Sequence, residues 1–163
     1  MAVFHYLHLR AFAHETEDPA RVKTALRTAA QDDAAKIEET HVEGSHGNKI
    51  ILLDGEVKNA PAAKRLFEAL LRDDAEGFAH IARTMRERID ENLNFHFRLD
   101  KQEAYLGRLR IAQGDDAITV RGKLRSFESK RSGAGLESSL QQLEALLLDV
   151  ADGRTVKRQH SRI

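Results

Sequence analysis

The sequence predicts an α+β fold: a mostly antiparallel sheet of about six strands, covered on one face by about four helices. Three observations carry this prediction. Segments of alternating apolar and polar residues occur in adjacent runs rather than singly between helices. Four other segments repeat apolar residues three and four apart, so each has one apolar face to bury. The resulting order is strand, helix, two strands, two helices, three strands, helix, and runs of neighbouring strands favour antiparallel pairing.

The first strand is expected from Val3 to His14, with Phe4, Tyr6, His8, Arg10 and Phe12 on one face and Leu7, Leu9, Ala11 and Ala13 on the other. "TEDPARVKTALRTAA" then starts a helix at Asp18-Pro19. A carboxylate at the N-cap accepts orphan amides, proline suits the first turn, and Val22, Ala25, Leu26 and Ala29 make the apolar face. "KIEETHVEGSHGNKIILLDGEVKN" reads as strand, turn, strand. Ile50 to Leu53 are apolar on both faces, which predicts a strand interior to the sheet, and Asp54-Gly55 is read as a bulge or the strand's exit.

Asn59 with Pro61 starts a second helix carrying Leu66, Phe67, Leu70 and Leu71. A third starts around Asp73 and Asp74, with Phe78, Ile81, Ala82, Met85 and Ile89 at helical spacing. Three strands are expected next: one at Phe95 to Leu99, then a hairpin from Tyr105 that ends near Phe127. In the last helix Leu136, Leu140, Leu143, Leu147 and Val150 recur at spacings of 4, 3, 4 and 3, a stripe read as core rather than as a dimer seam. Residues 1–152 are thus expected to form one domain, and 153–163, which lack an apolar period, a flexible basic tail.

Composition narrows the functional classes. The 163 residues carry 26 Lys and Arg against 26 Asp and Glu, so any electrostatic partner must be recognised by local charge segregation. The absence of Cys excludes thiol catalysis, disulfides and cysteine-ligated metals, and favours a reducing cytoplasm. No apolar run approaches the roughly 20 residues of a membrane span, so no membrane partner is expected. Among the histidines, His41 and His46 with Glu43 fit no firm metal spacing, and His5 and His8 point to opposite faces of a strand. Asp100 and Glu103 are flanked by Arg98, Lys101 and Arg108, which hold them ionised and unsuited to acid–base work. No phosphate loop, GxSxG elbow or HExxH occurs. Neither an enzyme nor a cofactor is expected.

The stretch from Tyr105 to Phe127 permits a register argument. Leu109 and Ile111 have odd numbers, while Ile118, Val120 and Leu124 have even ones. One apolar face can hold all five only if opposing residue numbers sum to an odd value, as 111 opposite 120 does. That parity gathers Arg108, Arg110, Arg121, Lys123 and Arg125 on the other face, with Arg110 opposite Arg121 and Arg108 opposite Lys123. Like charges so placed repel, which points to an anionic partner. Residues 98 to 131 hold nine cations, namely Arg98, Lys101, Arg108, Arg110, Arg121, Lys123, Arg125, Lys130 and Arg131, against five acids. Two readings stand: a grip on a phosphate backbone, or the solvated face of an ordinary sheet. Phe95 and Phe97 fall with the buried set, so backbone recognition of structured RNA is favoured over base reading, with no specificity for DNA.

Taken together, "LHLRAFAHETEDPARVKTAL", "VEGSHGNKIILLDGEVKN" and "FHFRLDKQEAYLGRLRIAQGDDAITVRGKLRSFESKR" resemble the archaeal RNA-binding family of predicted exosome subunits. The fold of that family is similar to that of the large-subunit ribosomal protein that binds 5S RNA. The likeness runs from about Phe4 to Arg131 and is carried by "TEDPARV", "GSHGN" and above all "RLDKQEAYLG". It implies an archaeal, cytoplasmic protein of RNA metabolism without catalytic residues. It also marks Arg98, Asp100, Lys101, Gln102, Tyr105 and Gly107 as family-typical positions, without giving them roles. The alternative is an interaction subunit that docks on exosome or ribosomal proteins and does not touch RNA.

Overall fold

Each of four helices begins where a short polar side chain takes an amide that the first turn leaves unpaired. The Asp18 carboxylate accepts from the Ala20 amide at 3.0 Å, and Asn59 Oδ1 from Ala62 at 2.9 Å. Asp74 accepts from Gly77 and Asp100 from Glu103, both at 2.9 Å. The computed structural model describes residues 3–125 and 134–160. In order these form β1 (Phe4–Ala13), α1 (Pro19–Ala30), β2 (Glu38–Glu43), β3 (Lys49–Val57), α2 (Ala60–Asp73), α3 (Ala75–Arg83), a 3₁₀ turn (Arg86–Arg88), β4 (Asn94–Asp100), α4 (Lys101–Tyr105), β5 (Ala117–Leu124) and α5 (Ala134–His160).

The strands make one open antiparallel sheet in the order β2-β3-β1-β5-β4. Leu7, Leu9, Ala11 and Ala13 of β1 are buried in one apolar cluster with Leu53, Phe95, Phe97, Leu99, Ile118 and Val120 of the other strands. Val22 and Leu26 of α1 and Leu66, Phe67 and Leu70 of α2 close that cluster. Phe67 centres its aromatic part, with ring centroids 5.9 Å from Phe4 and 5.6 Å from Phe97. Most of the leucine stripe of α5 is core as expected: Leu140, Leu143, Leu147 and Val150 are buried, while Leu136 is half-buried and Leu148, off the stripe, is exposed. Among the described residues no helix is long and apolar enough to cross a membrane.

Among the described residues the sheet has five strands where about six were expected, and there are five α-helices where about four were expected. The segment expected to be a fifth strand before β5 begins as α4, because Asp100 caps a helical turn there. The chain then runs beside the outer edge of β4 with a single bridge, Leu99 to Ile111. Two backbone bonds tie it to β4, from the Asp100 amide to the Arg110 carbonyl at 2.8 Å and from the Ala112 amide to the Arg98 carbonyl at 3.0 Å, and carboxylates take the alternate amides. Leu109 donates its amide to Asp73 and Ile111 donates to Asp74, both at 2.9 Å. β5 pairs instead with β1 on one side and β4 on the other.

Smaller differences have local causes. α3 stops at Arg83, where Thr84 turns its hydroxyl back onto the His80 carbonyl at 2.8 Å, leaving Met85 and Ile89 beyond the helix. Gly55 is no bulge; it pairs regularly with Leu9. The irregularity lies between Phe4 and Tyr6, and it turns Phe4 into the core, away from the face of Tyr6. α5 continues to His160 through the stretch read as a tail, since Gly153 alone costs a helix only about 1 kcal/mol.

Phe4 fits because Gly122 lies under it. A Cβ at Gly122 would stand 2.5 Å from Phe4 Cε1 and 2.8 Å from Leu7 Cδ2. Gly122→Ala should therefore destabilise the fold by about 1–3 kcal/mol through overpacking. A melting temperature equal to that of the parent protein would contradict this packing.

Candidate nucleic-acid interface

Helices cover the face of the sheet that carries Leu7 and Leu9; the opposite face is built from alternate residues of every strand. Ladder pairing sets its rows. Lys123 lies between Tyr6 and Asn94, Arg121 between His8 and His96, and Thr119 between Arg10 and Arg98. On the far side of β1 the sign changes: Glu56 faces His8, Asp54 faces Arg10, and Glu38 faces Asp54. The open face is thus basic over β4, β5 and β1 and acidic over β3 and β2. The pairing of Arg110 with Arg121 and of Arg108 with Lys123 does not form, because β4 and not residues 105–111 is the neighbour of β5. The repulsion inferred from it is absent.

The expected site residues separate into three groups. Arg98, Arg121 and Lys123 share the basic half of the face. Arg121 is exposed and makes no side-chain hydrogen bond or ion pair with a described residue; Lys123 donates to the Asn92 carbonyl. Arg98 donates to the Gly114 carbonyl at 3.3 Å and lies 3.6 Å from Asp115, where residues 113–116 cross β4. Arg110 and Arg108 sit beyond the edge of β4. Arg110, between inward-facing Leu109 and Ile111, is exposed on the side of Arg98, whereas Arg108 is paired with Glu103 at 2.8 Å. Arg125 follows the end of β5 and is exposed. Lys130, Arg131 and Phe127 lie outside the described residues.

Lys101 leaves the set. Its side chain is 3% exposed, and its ammonium donates to the Phe12 carbonyl at 3.0 Å, to Glu17 at 2.9 Å and to Asp116 at 2.6 Å. No donor remains to offer a phosphate. Among the described residues His14, Glu17 and Asp116 are the one group close enough to share a metal ion, but the Lys101 ammonium already stands among them as their counter-charge. The two segments "TEDPARV" and "RLDKQEAYLG" are joined at this point. Glu17 binds Lys101, the Arg21 guanidinium lies 5.5 Å from the centre of the Tyr105 ring, and a cavity of about 320 Å³ is lined by residues of both α1 and α4. Asp100 caps α4, and Gly107 leaves it at φ 93°, a conformation that favours glycine.

Carboxylates hold the histidines of the open face. Asp54 lies 2.9 Å from His8 Nε2 and 2.8 Å from Arg10 Nε, fixing both side chains. Asp90 lies 2.8 Å from His96 Nε2. Burial pushes the Asp90 carboxyl up, but hydrogen bonds from His96, from the amide and side chain of Asn94 and from the Asn92 amide outweigh it and hold the group at about 2. A carboxyl with its folded value below its unfolded one contributes stability above the unfolded value, and that share is lost as pH falls from about 4 toward 2. Asp90→Asn should therefore flatten the acid limb of the stability profile over that interval. Identical urea midpoints relative to neutral pH in both proteins, at each pH from 2 to 4, would contradict this role.

Four residues of this face were not singled out from the sequence as a site: Tyr6, His8, Arg10 and Phe12. Alternation placed them on one side of β1, but only the pairing of β1 with β5 puts Arg121 and Lys123 beside them.

The family model described as RNA binding matches residues 6–124. The chain is 33% identical over 135 residues to the RNA-binding protein PAB1135 of Pyrococcus abyssi, covering 78% of this chain and 86% of that one. Among solved structures, protein AF2318 of Archaeglobus fulgidus matches with a TM-score of 0.73 and 29% identity, over 88% of this chain and 99% of that one. Mth689 of Methanothermobacter thermautotrophicus matches with a TM-score of 0.70 and 28% identity, over 89% and 98%.

Proposed function

The chain belongs to the family described as RNA binding, and from that premise we propose that it is a non-catalytic RNA-binding protein gripping phosphates with the basic half of its open sheet face. Arg98, Arg121 and Lys123 carry the grip, with Arg10 beside them on β1 and Arg110 at the edge. The observation that carries the reading is segregation: in a chain of zero formal charge, cations collect over β4, β5 and β1, while Asp54, Glu56 and Glu38 lie over β3 and β2. Arg121 adds weight, because a mid-strand guanidinium with no partner among the described residues can turn to an anion. The protein acts in the cytoplasm, in RNA processing or degradation, and the exosome or a ribosomal assembly is the kind of complex it would serve.

Counterion release supplies the test. With three or four phosphates neutralised, a plot of log affinity against log salt should have a slope of about −2 to −3. Fluorescence anisotropy of a labelled RNA between 50 and 300 mM salt would measure it. A salt-independent affinity, or no binding at the low-salt end, would overturn the reading.

A further inference from the structure

We infer that the RNA this face takes is unpaired, with bases stacked on Phe12 and Tyr6 at the two ends of a polar track along β1. This rests on the RNA-binding reading above and specifies the ligand class. Four alternate residues of one strand, Tyr6, His8, Arg10 and Phe12, share the open face: an aromatic ring at each end and two basic side chains between. At a rise of about 3.3 Å per residue, the rings stand roughly 20 Å apart along the strand. Lys123 and Arg121 of β5 flank the track beside Tyr6 and His8. Phe12 is 45% exposed, unlike Phe4, Phe67, Phe95 and Phe97, which are all buried. Leu52 is the ladder neighbour of Phe12 and Arg10 lies two residues away on the same face, and an exposed ring so placed suits a base, because every base has an apolar face.

The strand is also held in place. The Phe12 carbonyl accepts from the buried Lys101 ammonium, and Asp54 fixes Arg10 and His8 between the rings. A continuous duplex keeps its base faces stacked within the helix and could offer the track phosphates only. Bases splayed from a single strand or a loop can use rings and cations together.

The test compares a fluorescent single-stranded oligouridine 12-mer with a blunt RNA hairpin of equal phosphate number, against the parent protein, Phe12→Ala, Phe12→Trp and Arg121→Glu. Phe12→Ala should weaken the single strand roughly tenfold, the scale of one stacked base, and the hairpin less than twofold. Phe12→Trp should restore single-strand affinity and show quenched indole fluorescence on binding. Arg121→Glu should weaken both RNAs. If Phe12→Ala binds the single strand as tightly as the parent while Arg121→Glu weakens both RNAs, stacking is overturned and the phosphate grip stands. If the parent binds neither RNA, both fall. Phe12 lies outside the core, so an unchanged melting temperature is the expected control.

Discussion

Lys101→Met should lower the stability of the fold by about 2–3 kcal/mol, and the melting temperature by roughly 5–10 °C. Methionine keeps most of the stem that lies among buried neighbours, so the loss reports the ammonium. Without it Glu17 and Asp116, which converge on one Nζ, face each other with no counter-charge, and the Phe12 carbonyl loses its donor. Breaking a buried ion pair commonly costs about 3–5 kcal/mol; the lower figure applies because Asp116 is half exposed and water screens it. Adding Asp116→Asn should recover part of the loss, since one of two repelling carboxylates is removed. Thermal melts of the single and double variants would measure both effects, and a Lys101→Met protein as stable as its parent would contradict the arrangement. The variant should also bind single-stranded RNA less well, because Phe12 would be less firmly held.

That expectation changes the reading of "RLDKQEAYLG". Its charge density suggests a site, yet in the fold Asp100 caps a helix, Lys101 ties α4 to β1 and to the loop before α1, and Gly107 takes a left-handed turn. Of its cations only Arg98 lies on the open face. The motif works as a lock that fixes the strand carrying Phe12, one step removed from the surface proposed to meet RNA.

The second large effect is expected from charge. Replacing Arg98, Arg121 and Lys123 together by Glu turns the three cations on β4 and β5 into anions beside Arg10 and His8. Each phosphate contact on a single strand contributes about 0.7 to the salt slope, so the slope should fall by about 2. Affinity at moderate salt should drop by roughly 100-fold or more. The changes lie on the solvated side of the sheet, and stability should move little.

Much of this fold was legible in the residues. Asp18 before Pro19 and Asn59 before Pro61 declare helix starts, and both side chains make the expected caps. The "GSHGN" turn joins β2 and β3 as expected. The parity rule correctly grouped Arg121 and Lys123 on the polar face, because parity depends only on which side chains are buried. It could not name the neighbouring strand: 111 opposite 120 and 97 opposite 120 both sum to odd values, and the fold uses the second. The choice is made by Asp73 and Asp74, far away in the chain, whose carboxylates take the amides that residues 109 and 111 would have offered to β5. Such a long-range substitution leaves no periodic signal. Lys101 escaped for a similar reason, since a lysine beside Asp100 reads as exposed until the loop carrying Asp116 and the turn carrying Glu17 close over it. The basic track was half visible: Tyr6, His8, Arg10 and Phe12 shared a face on sight, but their adjacency to Arg121 required the strand order.

The claim on which the rest depends is that the half-sheet over β4, β5 and β1 is the RNA surface. The most direct test is the affinity of the Arg98→Glu, Arg121→Glu, Lys123→Glu triple variant for the single-stranded 12-mer at 100 mM salt, with folding checked by circular dichroism. A loss of about 100-fold or more with an unchanged spectrum is the predicted result. A folded triple variant that binds with the parent's affinity and salt slope would show that the RNA lies elsewhere.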